Sequence, residues 1–562
     1  MIKRKFGLLN LFVLSLITLS SCGGENSSAT VSSEIPSTSD SSLPPGPEGD
    51  DFIVERDQLI KNLTLSNEEY ERYRNKEADF PYTGYSVTNS PYEFLSRDHQ
   101  TYVVNDKNVD VDLFYIPYWR NLDHPNNALG LLLYKAILYK LAYPEEENEI
   151  YLSSFHYSII AGVNLVKKSR HYGTMKSMPD DVIDSDGYVR FSYLTYFAAK
   201  IGIKIALCSQ LGGYSNYGTE ILPEDYYPSI MEESCAAKYG LGDKKIKDYM
   251  NYVHFEWYAY DDEGSDKAAT DMMHNKFVAV KHYLGDDGKV HDYAVLTSSS
   301  NLDGIHNMGV AGCVKAQTGA LIVNHEYIYR CFTNFTDFSI RYPGQHEVYA
   351  FRSDYKAAVK AQREIIKTSG YDSIKDEMMI YLGTPKDKVF ELYFGPLDTD
   401  FTDWTDENPI CKYVNKLTKC KKAIKFYWIN PKFATNSTFL ATISQKVIEA
   451  FKVSRGQLER EKCYLMVKSA ADIGNTYDEL VVGTHLGGKD IISNRDRIHQ
   501  KDFIFEYEEN NKKCSTMLLT TANTHMGGLF YQINTFLVIN ETEDDGMHLE
   551  KTLTELYKEY EL

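Results

Sequence analysis

One pattern, written twice into the chain, limits the architectures open to it. His274-Asn275-Lys276 opens an apolar extended run, Phe277-Val278-Ala279-Val280, and His499-Gln500-Lys501 opens another, Phe503-Ile504-Phe505. Each run leads into a polar turn, Gly285-Asp286-Asp287-Gly288 or Glu508-Glu509-Asn510-Asn511, and then into a second apolar strand. Each second strand closes on hydroxyl residues followed by Asn, as Thr297-Ser298-Ser299-Ser300-Asn301 and Thr520-Thr521-Ala522-Asn523. Apolar runs joined by short polar turns read as hairpins. A hairpin sets the start of its first strand beside the end of its second. His274, Lys276, Ser299 and Asn301 are therefore expected to cluster, and so are His499, Lys501, Thr521 and Asn523. Within each set, His and Lys two apart on a strand point to one side.

The flanking segments repeat as well. Apolar residues from Val111 to Tyr118 precede a helix-period run through Leu129, Leu133, Tyr134, Ile137 and Leu141, then an extended segment from Glu149 to Phe155. Val389 to Phe394, a helical stretch from Ile410 to Leu417 and an extended Ala423 to Ile429 follow the same order. The first copy adds a helix ending at Gly202 and a strand from Ile203 to Leu207. Strands alternating with helices predict an α/β fold. It is expected to comprise two homologous halves, each a mixed β-sheet flanked by helices, related by a pseudo-twofold axis and sharing one active site. Residues 110–345 form the first half and 388–562 the second. The polar, helix-prone stretch 346–387 is the connector, and 51–109 is an N-terminal extension. At roughly 150 residues per domain, this length allows two to four units.

The N-terminus carries a different signal. Lys3, Arg4 and Lys5 precede an apolar run from Phe6 to Leu19, too short for a confident membrane span and suited to a signal peptide over residues 1–21. Leu19-Ser20-Ser21-Cys22-Gly23 resembles a bacterial lipobox, which implies a lipid on Cys22. Residues 22–50, rich in Ser, Gly, Thr and Pro, cannot bury a core and read as a flexible linker. The expected location is the extracytoplasmic face of the cell membrane, held by the lipid anchor. The remaining cysteines are sparse, and none has Cys/His metal spacing, although an exported chain permits pairing.

Sixty Lys and Arg against 79 Asp and Glu leave a formal charge of -19, which argues against a general electrostatic grip on nucleic acid. A small basic pocket is compatible with that balance. Brought together, the two sets offer imidazoles, ammonium groups and amides to one spot, an arrangement suited to a phosphodiester. Cations and amides take the non-bridging oxygens. One imidazole attacks phosphorus while the other protonates the leaving oxygen.

The duplicated His-x-Lys, apolar strand and Ser/Thr-x-Asn turn resemble the phospholipase D superfamily with its two HKD motifs. The resemblance covers about residues 110 to 560. It implies His274 as nucleophile and His499 as general acid/base, with a phosphohistidine resolved by water or an alcohol. Lys276, Lys501, Asn301 and Asn523 would bind phosphate, with Ser299 and Thr521 beside the substrate and no metal or cofactor. The acidic residue expected five positions after each Lys is Glu506 in the second motif, counted with the catalytic set, but Lys281 in the first. Asp271 or Asp292 are candidates to replace it. Gln317, or Asn324 with Glu326, and Gln532 or Asn534 are candidates for polar strand residues directed at the site. A membrane tether favours hydrolysis or transfer of phospholipid head groups by a monomer. The alternatives are a surface nuclease cleaving DNA or RNA and a non-catalytic lipoprotein that binds phosphate ligands.

Overall fold

The computed structural model describes residues 98–116, 128–155, 162–164, 188–210, 231–255, 273–285, 289–301, 317–344, 347–375, 379–380, 389–397, 406, 408–419, 422–429, 463–467, 491–493, 500–523, 528, 531–549 and 552. The first strands, β1 (Asp98–Val104) and β2 (Lys107–Ile116), form a hairpin. Asn105 and Asp106 turn it with φ of 49° and 62°, the conformation that short polar residues adopt in a two-residue turn. Val109, Val111 and Leu113 are buried while the alternating Asp110 and Asp112 are half-buried, so this strand covers the core with one face only. Part of the expected N-terminal extension thus adds an edge strand, and β2 starts earlier than its apolar residues indicate.

Next come α1 (Ala128–Ala142), β3 (Glu149–Ser154), a short pair of strands β4 (Gly162–Asn164) and β5 (Tyr188–Arg190), α2 (Phe191–Lys200), β6 (Lys204–Gln210) and β7 (Met250–Phe255). The first motif hairpin is β8 (Lys276–Leu284) with β9 (Val290–Ser298), followed by β10 (Gln317–Val323) and α3 (Glu326–Ser339). The connector is a long helix, α4 (Val348–Ser369). Beyond it lie β11 (Phe390–Phe394), α5 (Pro409–Lys419), β12 (Lys422–Ile429), β13 (Cys463–Val467) and β14 (Ile491–Ser493). The second motif hairpin, β15 (Asp502–Glu509) with β16 (Lys512–Thr520), turns at Asn510 and Asn511, both at positive φ, and β17 (Thr535–Thr542) follows.

These strands build two large mixed sheets within one compact unit, Gly46–Leu562. The first has the order β1-β2-β10-β9-β8-β3-β6-β7 and the second β11-β17-β16-β15-β12-β13-β14. With β1 set aside, the two orders correspond strand for strand. In each, the strands are antiparallel as far as β3 or β12, and the last two join in parallel. The architecture is therefore mixed α/β, with large sheets flanked by helices.

Helices cover both faces of the first sheet. On β8, Phe277 packs edge-on to Phe332 of α3 at 4.7 Å, while His282 on the opposite face stacks on Tyr139 of α1 at 5.0 Å. α1 is buried on all sides from Leu132 to Ala142, as expected of a helix that is apolar all round. Lys140 closes it by donating to the carbonyls of Pro144 and Glu146, both at 2.6 Å. An aromatic seam joins the sheets. Phe335 of α3 stacks on Phe394 of β11 at 4.1 Å, and Tyr355 of α4 meets Phe335 at 5.3 Å. Truncating one of these rings to alanine costs about 3–5 kcal/mol, so the seam makes the two sheets one body.

Among the described residues no helix is long and apolar enough to cross a membrane. Five described cysteines, Cys208, Cys235, Cys331, Cys411 and Cys514, are buried free thiols. They serve as small apolar side chains. Residues 1–50, with Cys22, lie outside the described residues.

Candidate active site

The two hairpins have matching closures. Ser299 N–H donates to the Thr318 carbonyl at 2.8 Å, and Thr318 N–H returns a bond to the Ser299 hydroxyl at 2.9 Å. Thr521 and Thr535 repeat this exchange at 3.0 and 2.9 Å. Ser300 N–H bonds the Ser298 hydroxyl, and Ala522 N–H bonds that of Thr520, both at 3.0 Å. Hydroxyl residues at the strand ends thus tie the end of each hairpin to the strand that follows it. Side-chain oxygens accept backbone N–H groups there that the ladder leaves without partners.

The closures meet across the seam between the sheets. Met273 bridges Ile533, and His274 N–H donates to the Ile533 carbonyl at 2.8 Å. The Thr535 hydroxyl donates to Asn275 Oδ1 at 2.9 Å, and in the reverse sense the Thr318 hydroxyl donates to Asp502 Oδ2 at 2.5 Å. Each half therefore sends a threonine hydroxyl from the strand after its hairpin to the motif of the other half.

His274 itself is buried and held by Asn534. Asn534 Nδ2 donates to the Gly528 carbonyl at 2.7 Å, which turns its Oδ1 the other way. That oxygen accepts from His274 Nδ1 at 2.9 Å and from the Thr521 hydroxyl at 3.0 Å. An amide oxygen only accepts, so Nδ1 carries the proton, and in the neutral ring the lone pair lies on Nε2. Phe155, at the end of β3, sets its ring 5.1 Å from that of His274 and 5.5 Å from Lys276 Nζ. Lys276 is fully buried and donates to the His274 carbonyl at 2.7 Å. The His274 ring and the Lys276 ammonium group thus both lie against the Phe155 ring.

Of the other expected site residues, Asn301, Lys501, Ser299 and Thr521 are buried at the closures and Asn523 is half-buried. The Ser299 and Thr521 hydroxyls both hold strand ends together. His499 and Asp271 lie outside the described residues. Next to Lys501, Asp502 is fully buried, and burial pushes its carboxyl up to about 7 against the Thr318 hydrogen bond and the Lys501 charge, which pull it down.

Two expectations are corrected, those on Asp292 and on Asn324 with Glu326. Glu506 lies on the continuous strand β15, paired opposite Ser515. Five residues at about 3.3 Å each put its backbone about 16 Å along the strand from that of Lys501, and its side chain is buried. Lys281 is displaced equally from Lys276, in the body of the first hairpin. Asp292 supports His282, whose Nδ1 is 2.6 Å from its carboxylate, and not the motif. Asn324 and Glu326 lie past the far end of β10, where Asn324 Oδ1 accepts from Asp292 N–H and Glu326 pairs with Arg330. Gln317 heads the same strand at the site end and matches Asn534 in the repeat, since Thr318 matches Thr535.

Sequence reasoning missed Phe155, Asn275, Thr318, Thr535 and Asp502. A signal for two of them was present: aligning the repeats sets Gln317-Thr318 over Asn534-Thr535, each just upstream of an apolar run. Among the described residues no group of three or more His, Cys, Asp or Glu is placed to hold a metal ion.

No family model and no curated protein matches the sequence. Solved structures similar to it include a polyphosphate kinase from Porphyromonas gingivalis, at 10% identity and TM-score 0.36, with 80% of this chain and 50% of that one covered. A phosphatidylserine synthase from Haemophilus influenzae Rd KW20 gives 9% and 0.40, with coverage of 86% and 90%. A mutant yeast tyrosyl-DNA phosphodiesterase gives 9% and 0.32, with coverage of 76% and 90%. The chain spans about half the length of the polyphosphate kinase. At scores this low the likenesses carry no weight for the chemistry.

Proposed function

We propose that the protein is a phosphodiesterase of phospholipase D type, built from two halves about a pseudo-twofold axis, that hydrolyses or transfers phospholipid head groups. The observation that supports this reading is the pairing of His274 Nδ1 with Asn534, which puts the lone pair of the neutral ring on Nε2, in a motif whose Lys276 is buried. Nε2 attacks phosphorus and the bond to the leaving oxygen breaks, while His499 gives that oxygen its proton. Water or an alcohol then attacks the phosphohistidine, the P–N bond breaks, and His499 takes the proton back. Lys276, Lys501, Asn301 and Asn523 hold the non-bridging oxygens and balance their charge in the transition state. No step uses a metal or cofactor. A lipid on Cys22 and the linker 22–50 keep the monomer at the extracytoplasmic membrane face, within reach of head groups.

The test incubates the chain from about residue 50 with phosphatidylcholine, phosphatidylglycerol and single-stranded DNA in EDTA, beside His274→Ala. Head-group release by the wild type, lost by at least about a thousandfold in the variant, is the expected outcome. Release of nucleotides alone would make the protein a surface nuclease. Equal inactivity of both proteins on all three substrates would make it a phosphate-binding lipoprotein.

A further inference from the structure

The helix between the halves does more than link them. Arg352 and Tyr355 lie three apart on α4, hence on one face; Arg352 grips the backbone three residues before Asn534, and Tyr355 grips the end of β11, which bonds Asn534. Arg352 donates from Nε and Nη2 to the Tyr531 carbonyl at 3.2 and 3.0 Å, and its guanidinium lies 4.9 Å from the Tyr531 ring centre. Tyr355 donates its hydroxyl to the Phe394 carbonyl at 3.1 Å. The next residue, Gly395, donates its N–H to the Asn534 carbonyl at 2.7 Å. There is no room for adjustment there, since a Cβ on Gly395 would fall 2.4 Å from the Gln532 carbonyl. Residues 531–534 are thereby gripped at both ends. From between them Ile533 takes the His274 N–H, and Asn534 takes its Nδ1–H.

We propose that Arg352 and Tyr355 are positioning residues, which set the orientation of His274 by fixing the backbone ahead of Asn534 at Tyr531 and the end of β11 that bonds the Asn534 carbonyl. The inference deepens the phosphodiesterase reading and rests on it only for its effect on turnover. Arg352 suits the task because its planar fork gives two donors to one carbonyl while its face stacks on the ring. Burial lowers its pKa to about 10, which leaves it charged at neutral pH. Tyr355 is fully buried and cannot exchange its partner for water.

The test reads His274 directly, by residue-resolved deuterium exchange at histidine C2 followed by mass spectrometry across pH, on the full chain. Asn534→Ala removes the acceptor that favours the protonated ring, so the His274 midpoint falls. Arg352→Met is expected to lower that midpoint by the same amount, and the double variant no further, because both act on one contact. On bis(p-nitrophenyl) phosphate, Arg352→Met is expected to lower kcat about tenfold with KM held. A His274 midpoint unchanged by Arg352→Met, or lowered additively in the double variant, overturns the proposal. If Arg352→Met does not fold, Tyr355→Phe, which loses one hydroxyl, carries the same test with the same two outcomes. A wild type without turnover sinks the phosphodiesterase reading alone, since the exchange midpoints still decide for or against the positioning.

Discussion

At His274 the character of the partner matters as much as its position. A carboxylate opposite Nδ1 would stabilise the imidazolium and raise its pKa, whereas the amide of Asn534 fixes the tautomer with far less charge. Asn534→Asp is therefore expected to raise the His274 pKa. In the proposed mechanism the reactive form is the neutral ring, so the acidic limb of the kcat/KM profile on bis(p-nitrophenyl) phosphate is expected to move to higher pH. Asn534→Ala is expected to lower kcat without that upward move. An acidic limb that stays in place with Asp would show that His274 does not titrate as the nucleophile. The same scale explains why Phe155 escaped notice in the sequence. A single Phe after a strand carries no pattern, and only the fold sets it beside His274 and Lys276.

Among the elements, the hairpins are the most legible and the most regular. Their turns, their apolar strands and their hydroxyl-rich ends are local features, and each hairpin formed where these were read. The apolar segments around them also became strands and helices in the expected order. What the elements do to one another was less visible. β11 ends against the segment leading to β17, and Gly395→Ala would press a methyl group into the Gln532 carbonyl. That substitution is expected to cost about 1–3 kcal/mol in urea unfolding. It should also depress turnover, because the shift falls on Asn534. A loss of stability with turnover intact would separate β11 from the site.

For the whole molecule, the two threonine latches tie the halves together at the motifs. One of them, Thr318 to Asp502, carries a cost that depends on pH. Burial raises the Asp502 carboxyl to about 7, whereas in the unfolded chain it titrates near 3.8. Its contribution is most favourable below pH 4, declines as pH rises through that window, and levels off above pH 7, where it has cost on the order of 4 kcal/mol. Asp502→Asn keeps an acceptor for Thr318 and removes the titration. Its melting temperature is expected to exceed that of the wild type, by a margin that widens between pH 5 and pH 8. A margin that stays constant over that range would place the carboxyl outside the buried seam.

The sequence by itself determined the mixed α/β architecture, the duplication and the two hairpins, because periodicity, turn residues and strand-end hydroxyls act over short stretches of chain. It also singled out His274, Lys276, Asn301 and their counterparts as candidates, since chemistry-bearing residues recur at the same place in each copy of the pattern. Only the tertiary structure decided that Asn534 and not Gln532 meets His274, and that a connector helix grips Tyr531 and the end of β11 beside Asn534. Those contacts join residues from 39 to 260 positions apart. Their formation depends on how two sheets pack across an aromatic seam, a matter of shape complementarity that no local pattern encodes.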